Sequence, residues 1–193
     1  MDIREALGKR RLFLDGGTGT SLQKMGLRAG ERPETWNILH PERIESLHRA
    51  YLDAGADIIY TNTFGANRLK YPEGGEFALE EVVRSAVNIA KSAQKACGRE
   101  DSSWVALDIG PSGKLLKPLG DLDFEDAVAL FAEVVSCGAQ AGADLVVIET
   151  MGDSYELKAA VLAAKENCAL PVIATAAFDE KARMLTGGTP ESV

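Results

Sequence analysis

Two acidic residues, Asp15 and Glu149, stand at the ends of the short apolar runs Leu12 to Leu14 and Leu145 to Ile148. Carboxylates brought together at neighbouring strand ends repel one another unless a cation, a shared proton or a metal offsets their charge. An ammonium group does this. Asp15 also opens the run Asp15-Gly16-Gly17-Thr18-Gly19-Thr20, where glycine permits a sharp turn and leaves backbone N–H groups free to meet an anion. Acids for an ammonium beside backbone donors for a carboxylate suit the two ends of a free amino acid. The plainer alternative is that these acids cap helices or pair with arginine. A dinucleotide-binding reading of the loop fails, because the third glycine of G-x-G-x-x-G falls at Leu22.

Three further polar residues, Asn62, Asp108 and Thr175, end apolar runs. They are candidates for substrate contact or for support of the loops around it. Asp15, Asp108 and Glu149 together also suggest oxygen ligands for a hard cation, which gives a second reading as a magnesium-dependent lyase-type barrel. His40 and His48 fall before and within a helical segment and read as structural. Cys97, Cys137 and Cys168 are an odd, sparse set without C-x-x-C spacing, expected to be reduced, buried thiols. Binding groups are therefore present without an evident base, nucleophile or metal set, and no catalytic or metal-ligating residue is assigned in this chain.

The elements that must position these residues alternate. Strand-like runs at Leu12 to Leu14, Ile58 to Tyr60, Val105 to Leu107, Leu145 to Ile148 and Val172 to Ala174 are separated by segments of helical period. Pro41 to Ala54 places Ile44, Leu47, Tyr51 and Leu52 on one face before Gly55. Leu79 to Ala96 repeats the pattern before Gly98, a left-handed cap. Asp123 and Asp153 are expected to cap two more helices. The junction Ala54-Gly55-Ala56-Asp57-Ile58-Ile59 recurs as Ala141-Gly142-Ala143-Asp144-Leu145-Val146. Apolar strands separated by helices call for a parallel sheet covered by helices. Polar residues at every strand end favour a closed (β/α)8 TIM barrel, in which they share one mouth, over an open doubly wound sheet. Eight units at this spacing need about 300 residues. Residues 1–193 are thus expected to be the N-terminal part of one barrel domain, stopping after about five β/α units.

The chain carries 29 acidic and 21 basic residues, a net charge of -8, which disfavours nucleic acid and anionic membrane surfaces as partners. With 46% hydrophobic residues it has the means to bury a core without disulfides. Neither a signal peptide nor a membrane span is evident, so the expected location is the cytoplasm.

Five motifs in order, Asp15-Gly16-Gly17-Thr18-Gly19-Thr20, Asn62-Thr63-Phe64-Gly65-Ala66-Asn67, Asp108-Ile109-Gly110-Pro111, Glu149-Thr150 and Phe178-Asp179-Glu180-Lys181, give the chain a specific resemblance to the homocysteine S-methyltransferase family. Its nearest shade is the homocysteine-binding module of cobalamin-dependent methionine synthase. The resemblance implies a barrel enzyme that makes methionine by methyl transfer to a homocysteine thiolate held on zinc. It also implies that Asp15 and Glu149 hold the substrate amino group while Gly16, Gly17 and Thr18 receive its carboxylate. The family's zinc cysteines lie in G-x-N-C and G-G-C-C motifs, neither of which occurs in this sequence. The isolated chain is therefore expected to supply the amino-acid-binding half and to be inactive alone. Methylcobalamin is the candidate methyl donor. The expected partners are homocysteine, the remaining part of the barrel, and cobalamin or folate modules. A non-catalytic binding or assembly module, self-associating through an open sheet, is the alternative from a different class.

Overall fold

The computed structural model describes residues 3–193. Its centre is a four-stranded parallel sheet in the order β1 (Ile58–Tyr60), β2 (Trp104–Ile109), β3 (Leu145–Met151) and β4 (Val172–Ala176). Each strand lies beside the next in sequence, with no reversal of order. A doubly wound sheet reverses at a switch point, whereas a sheet that always advances in one direction is the wall of a barrel.

Helices α3 (Trp36–Leu39) and α4 (Pro41–Asp53) precede β1, and α5 (Leu79–Ala96), α6 (Phe124–Gln140) and α7 (Ser154–Asn167) connect the strands. They form because apolar residues recur every three or four positions. Val83, Ala86, Val87 and Ala90 of α5 are fully buried, as is Val135 of α6, and Phe131 beside it is nearly so. The helices cover the convex face, where Leu107, Ile109, Val146, Ile148 and Met151 join the largest core cluster. Full burial of a side chain such as Phe131 contributes about 2 to 3 kcal/mol. On the concave face Ile58, Trp104, Ala106, Leu145 and Val147 pack with Ile3 and Ala6 of the short helix α1 (Ile3–Leu7). That helix carries no period long enough to be read from sequence.

The repeated junction has a physical explanation. Gly55 and Gly142 both have left-handed φ, 100° and 98°, as the tight exit from a helix requires. In each case the following aspartate binds the neighbouring extended segment. Asp57 accepts from the backbone N–H of Phe13 (2.9 Å) and Asp144 from that of Val105 (2.7 Å). A cation completes both, Arg10 on Asp57 and Lys91 on Asp144, each at 2.7 Å.

Three expectations need correction. The run Leu12 to Leu14 forms no full strand. It is held by a single parallel bridge, Leu14 to Ile58, and by the bonds to Asp57 and Ile58. The reason is its edge position: Phe13 and Leu14 are 63% and 50% exposed, with no second neighbour to fix a ladder. Asp123 stands at the start of α6 but makes no capping bond; Lys117 takes its carboxylate at 2.8 Å. The three cysteines are free thiols but only partly buried. Asp153, by contrast, accepts from the N–H of Tyr155 at 2.7 Å and caps α7 as expected.

Candidate functional site

At the C-terminal ends of the strands lies a cavity of about 520 Å³. Asp15, Gly16, Gly17, Thr18, Asn62, Asp108 and Glu149, all singled out from sequence, line it together. Thr175 does not. Its Oγ1 accepts from the backbone N–H of Thr150, a residue of the lining, at 3.2 Å.

Asp15 follows the bridged segment, and its Oδ2 accepts from the N–H of Tyr60 at 2.8 Å. Burial is the main cause that pushes its carboxyl up to about 7; the Tyr60 bond opposes this and the charge of Glu149 adds to it. Burial likewise raises Glu149. Asp108 is raised well above the ordinary carboxylate range, first by burial and then by the charges of Glu149, Asp15 and Glu34. Its Oδ1 is buried without a hydrogen-bond partner.

The cavity wall includes a fourth acid that sequence reasoning missed. Glu34 is 5% exposed; its Oε1 accepts from the N–H of Gly65 at 2.7 Å and its Oε2 from the hydroxyl of Tyr71 at 3.3 Å. A side chain at Gly65 would bring a Cβ within 2.6 Å of that Oε1, so the close approach requires glycine. These partners are more than thirty residues from Glu34, and no local pattern signals them. Tyr60, Phe64 and Thr150 also line the cavity and were quoted at most as parts of motifs.

Asn62 has a supporting task. Its Nδ2 donates to the carbonyl of Pro33 (2.8 Å) and to Oδ1 of Asn37 (2.9 Å), while Asn37 donates back to the carbonyl of Asn62 (2.9 Å). Both amide hydrogens of Asn62 are thereby committed to holding the Glu34 loop against the end of β1. Thr63 and Thr61 similarly tie β1 to the backbone of Asp108 at 2.7 and 3.1 Å.

The glycine loop leads into α2 (Thr18–Lys24), a helix whose seven residues carry one buried apolar side chain, Leu22, and so no readable period. The carbonyl of Gly17 accepts from Ser21 (2.8 Å), Thr20 (3.3 Å) and Tyr51 (3.3 Å). In a trans peptide the N–H points opposite to the C=O, so the N–H of Thr18 is turned away from Tyr51. It also belongs to the first turn of α2, where no helical acceptor exists.

Among the described residues the cavity lining holds Asp15, Glu34, Asp108 and Glu149 and no lysine, arginine or histidine. Such a site is matched by a cation. Asp15, Asp108 and Glu149 share the cavity, yet no group of three His, Cys, Asp or Glu residues among the described ones is placed to hold a metal ion. Cys97, Cys137 and Cys168 sit at the end of α5, within α6 and at the end of α7. The described residues therefore do not fit the zinc that the resemblance implies.

The sequence profile of the homocysteine S-methyltransferase family matches residues 12–193. The chain belongs to this family. Among homocysteine S-methyltransferase relatives, methionine synthase of Mycobacterium leprae is 30% identical over 85% of this chain and 14% of its own length. Methionine synthase of Mycobacterium tuberculosis is 29% identical over 96% and 17%. The chain thus spans about a sixth of the curated relatives it matches. The solved homocysteine methyltransferase MmuM of Escherichia coli superposes with a TM-score of 0.85 in its oxidized form, at 21% identity over 98% of this chain and 70% of that one. Its metallated form gives 0.84 at 22% identity. This agreement places the advancing sheet of the present chain in the TIM-barrel fold class. No helix among the described residues is long and apolar enough to cross a membrane.

Proposed function

We propose that residues 1–193 form the amino-acid-binding part of a homocysteine S-methyltransferase barrel domain. In this reading Asp15 and Glu149 hold the ammonium group of homocysteine, and the backbone N–H groups of the Gly16 to Thr18 loop receive its carboxylate. The observation that carries it is the four-acid cavity whose lining, among the described residues, holds no basic residue and in which burial raises the carboxyls of Asp15, Asp108 and Glu149.

An arriving ammonium reverses the balance at Asp15. It favours the charged form that burial opposes, so binding and ionisation of the carboxyl reinforce each other. Asp108, held above the ordinary carboxylate range by burial, contributes a protonated hydroxyl or an acceptor as the ligand demands. Asn62, Asn37 and Thr63 keep the walls in register. Nothing in the described residues supplies the thiolate-activating group, and the methyl transfer needs a part of the domain beyond these side chains. Of the donors, methylcobalamin fits the resemblance to the methionine synthase module, with cobalamin and folate modules as partners.

The test is reconstitution. Co-expression with a second chain carrying the G-x-N-C and G-G-C-C cysteines is expected to yield methionine from homocysteine and a methyl donor. A soluble, associated pair that forms none contradicts the proposal.

A further inference from the structure

In a regular strand successive side chains alternate between faces, and a shift by one residue exchanges them. Along β3, Leu145 and Val147 face the concave side with α1, while Val146 and Ile148 face the helices. Continued alternation would point Glu149 into the mouth, Thr150 back to the helices, and Met151 inward again. The structure departs from this after Glu149. Thr150 lines the cavity together with Glu149, and Met151 is fully buried on the helix side.

The departure is a β-bulge. Ile148 pairs with Ala174 and Met151 with Ala176, so Glu149 and Thr150 stand opposite the single residue Thr175. Thr150 takes φ 61°, a left-handed conformation that a β-branched residue adopts only when its surroundings impose it. The surroundings include one direct tie, the bond from the N–H of Thr150 to Oγ1 of Thr175. Thr175 lies two residues beyond Ile173, which packs on the concave side, and strand alternation places its side chain on the same side as the cavity.

We infer that Thr175 is a positioning residue: its hydroxyl latches the Glu149–Thr150 bulge and so fixes where the Glu149 carboxylate enters the cavity. Without the latch the strand can relax toward regular pairing, which relieves Thr150 and moves Glu149 along the mouth. A bulge beside a functional pocket is a recurrent means of re-aiming a side chain. This inference rests on the reading of Glu149 as an ammonium acceptor for its consequence in binding, but its structural step stands independently.

The experiment compares the full chain with Thr175→Val and Thr175→Ser. Two readouts are used: calorimetric affinity for L-homocysteine, and the titration of the Glu149 side-chain carboxyl followed by ¹³C NMR. Valine keeps the shape of threonine without the acceptor. Thr175→Val is expected to weaken L-homocysteine about tenfold or more, since misplacing a binding group by ~1 Å carries penalties up to about a hundredfold. It is also expected to shift the Glu149 titration. Serine, which keeps the hydroxyl, restores both.

A merely structural role would lower the melting temperature of Thr175→Val while leaving affinity and titration at parent values, and that result overturns the inference. If the parent itself binds no L-homocysteine, the functional reading fails. The Glu149 titration then decides the latch alone: a shift in Thr175→Val that serine reverses supports it, and superimposable curves refute it.

Discussion

Replacing Asp15 with asparagine is expected to stabilise the chain at alkaline pH in ligand-free buffer, while removing its affinity for an amino acid. The carboxyl of Asp15 is raised from 3.8 to about 7, chiefly by burial. A raised acid contributes stability that is fully present below its unfolded value and is lost as pH climbs through the folded one. Between pH ~4 and pH ~7 the parent therefore forfeits up to roughly 4 kcal/mol at this residue, the product of the displacement and about 1.4 kcal/mol for each pH step. Water reaching the partly exposed carboxyl reduces this, so ~2 to 4 kcal/mol is the range to seek. Asparagine carries no charge and still offers an oxygen to the N–H of Tyr60, so the bond to β1 survives. Urea unfolding at several pH values measures the difference directly. The two proteins should be nearly equal near pH 4 and separate steadily, with the variant more stable at pH 8. A gap that stays constant across this range, or a variant less stable than its parent at pH 8, would show that charging the buried Asp15 carboxyl does not destabilise the fold.

Other expectations follow from the same geometry. His48 is buried with both ring nitrogens unpartnered, and burial lowers it from 6.5 to about 4. Its contribution is present above pH ~6.5 and is lost as pH falls toward 4, by roughly 3 kcal/mol; His48→Leu should flatten that limb in pH-dependent melts. Asn62→Ala removes two donors and strands the partners in Asn37 and Pro33, at a cost of about 2 to 3 kcal/mol in urea unfolding. Gly138→Ala would place a Cβ 2.5 Å from the Leu107 side chain, and this overpacking should cost ~1 to 3 kcal/mol. The exposed edges at Phe13, Leu14, Ala174 and Thr175 predict a mass by light scattering that rises with concentration; a monomer at every concentration would contradict it.

The alternation of apolar runs with helical periods was enough to read the parallel sheet, and the order of strands then agreed with a barrel wall. The helices were legible because their buried positions repeat locally, as Val83, Ala86, Val87 and Ala90 do. The edge segment at Phe13 was not, since whether a short apolar run becomes a strand depends on neighbours on both sides. The mouth was legible where acids end strands, at Asp15, Asp108 and Glu149. Glu34 was hidden because its partners Gly65 and Tyr71 come from a distant loop. The bulge at Thr150 was hidden for a related reason. Its extra residue is defined only against the pairing of β4, and the sequence Ile148-Glu149-Thr150-Met151 fits regular alternation just as well.

Recognition of an ammonium group by the acidic cavity can be measured by titration calorimetry of the chain at pH 8 with L-homocysteine and with γ-mercaptobutyrate, the same molecule without its amino group. Binding of the first, lost in Asp15→Asn, and no measurable binding of the second are the expected results. Equal affinity for both ligands, or binding of L-homocysteine that survives the loss of Asp15, would contradict recognition of the ammonium group.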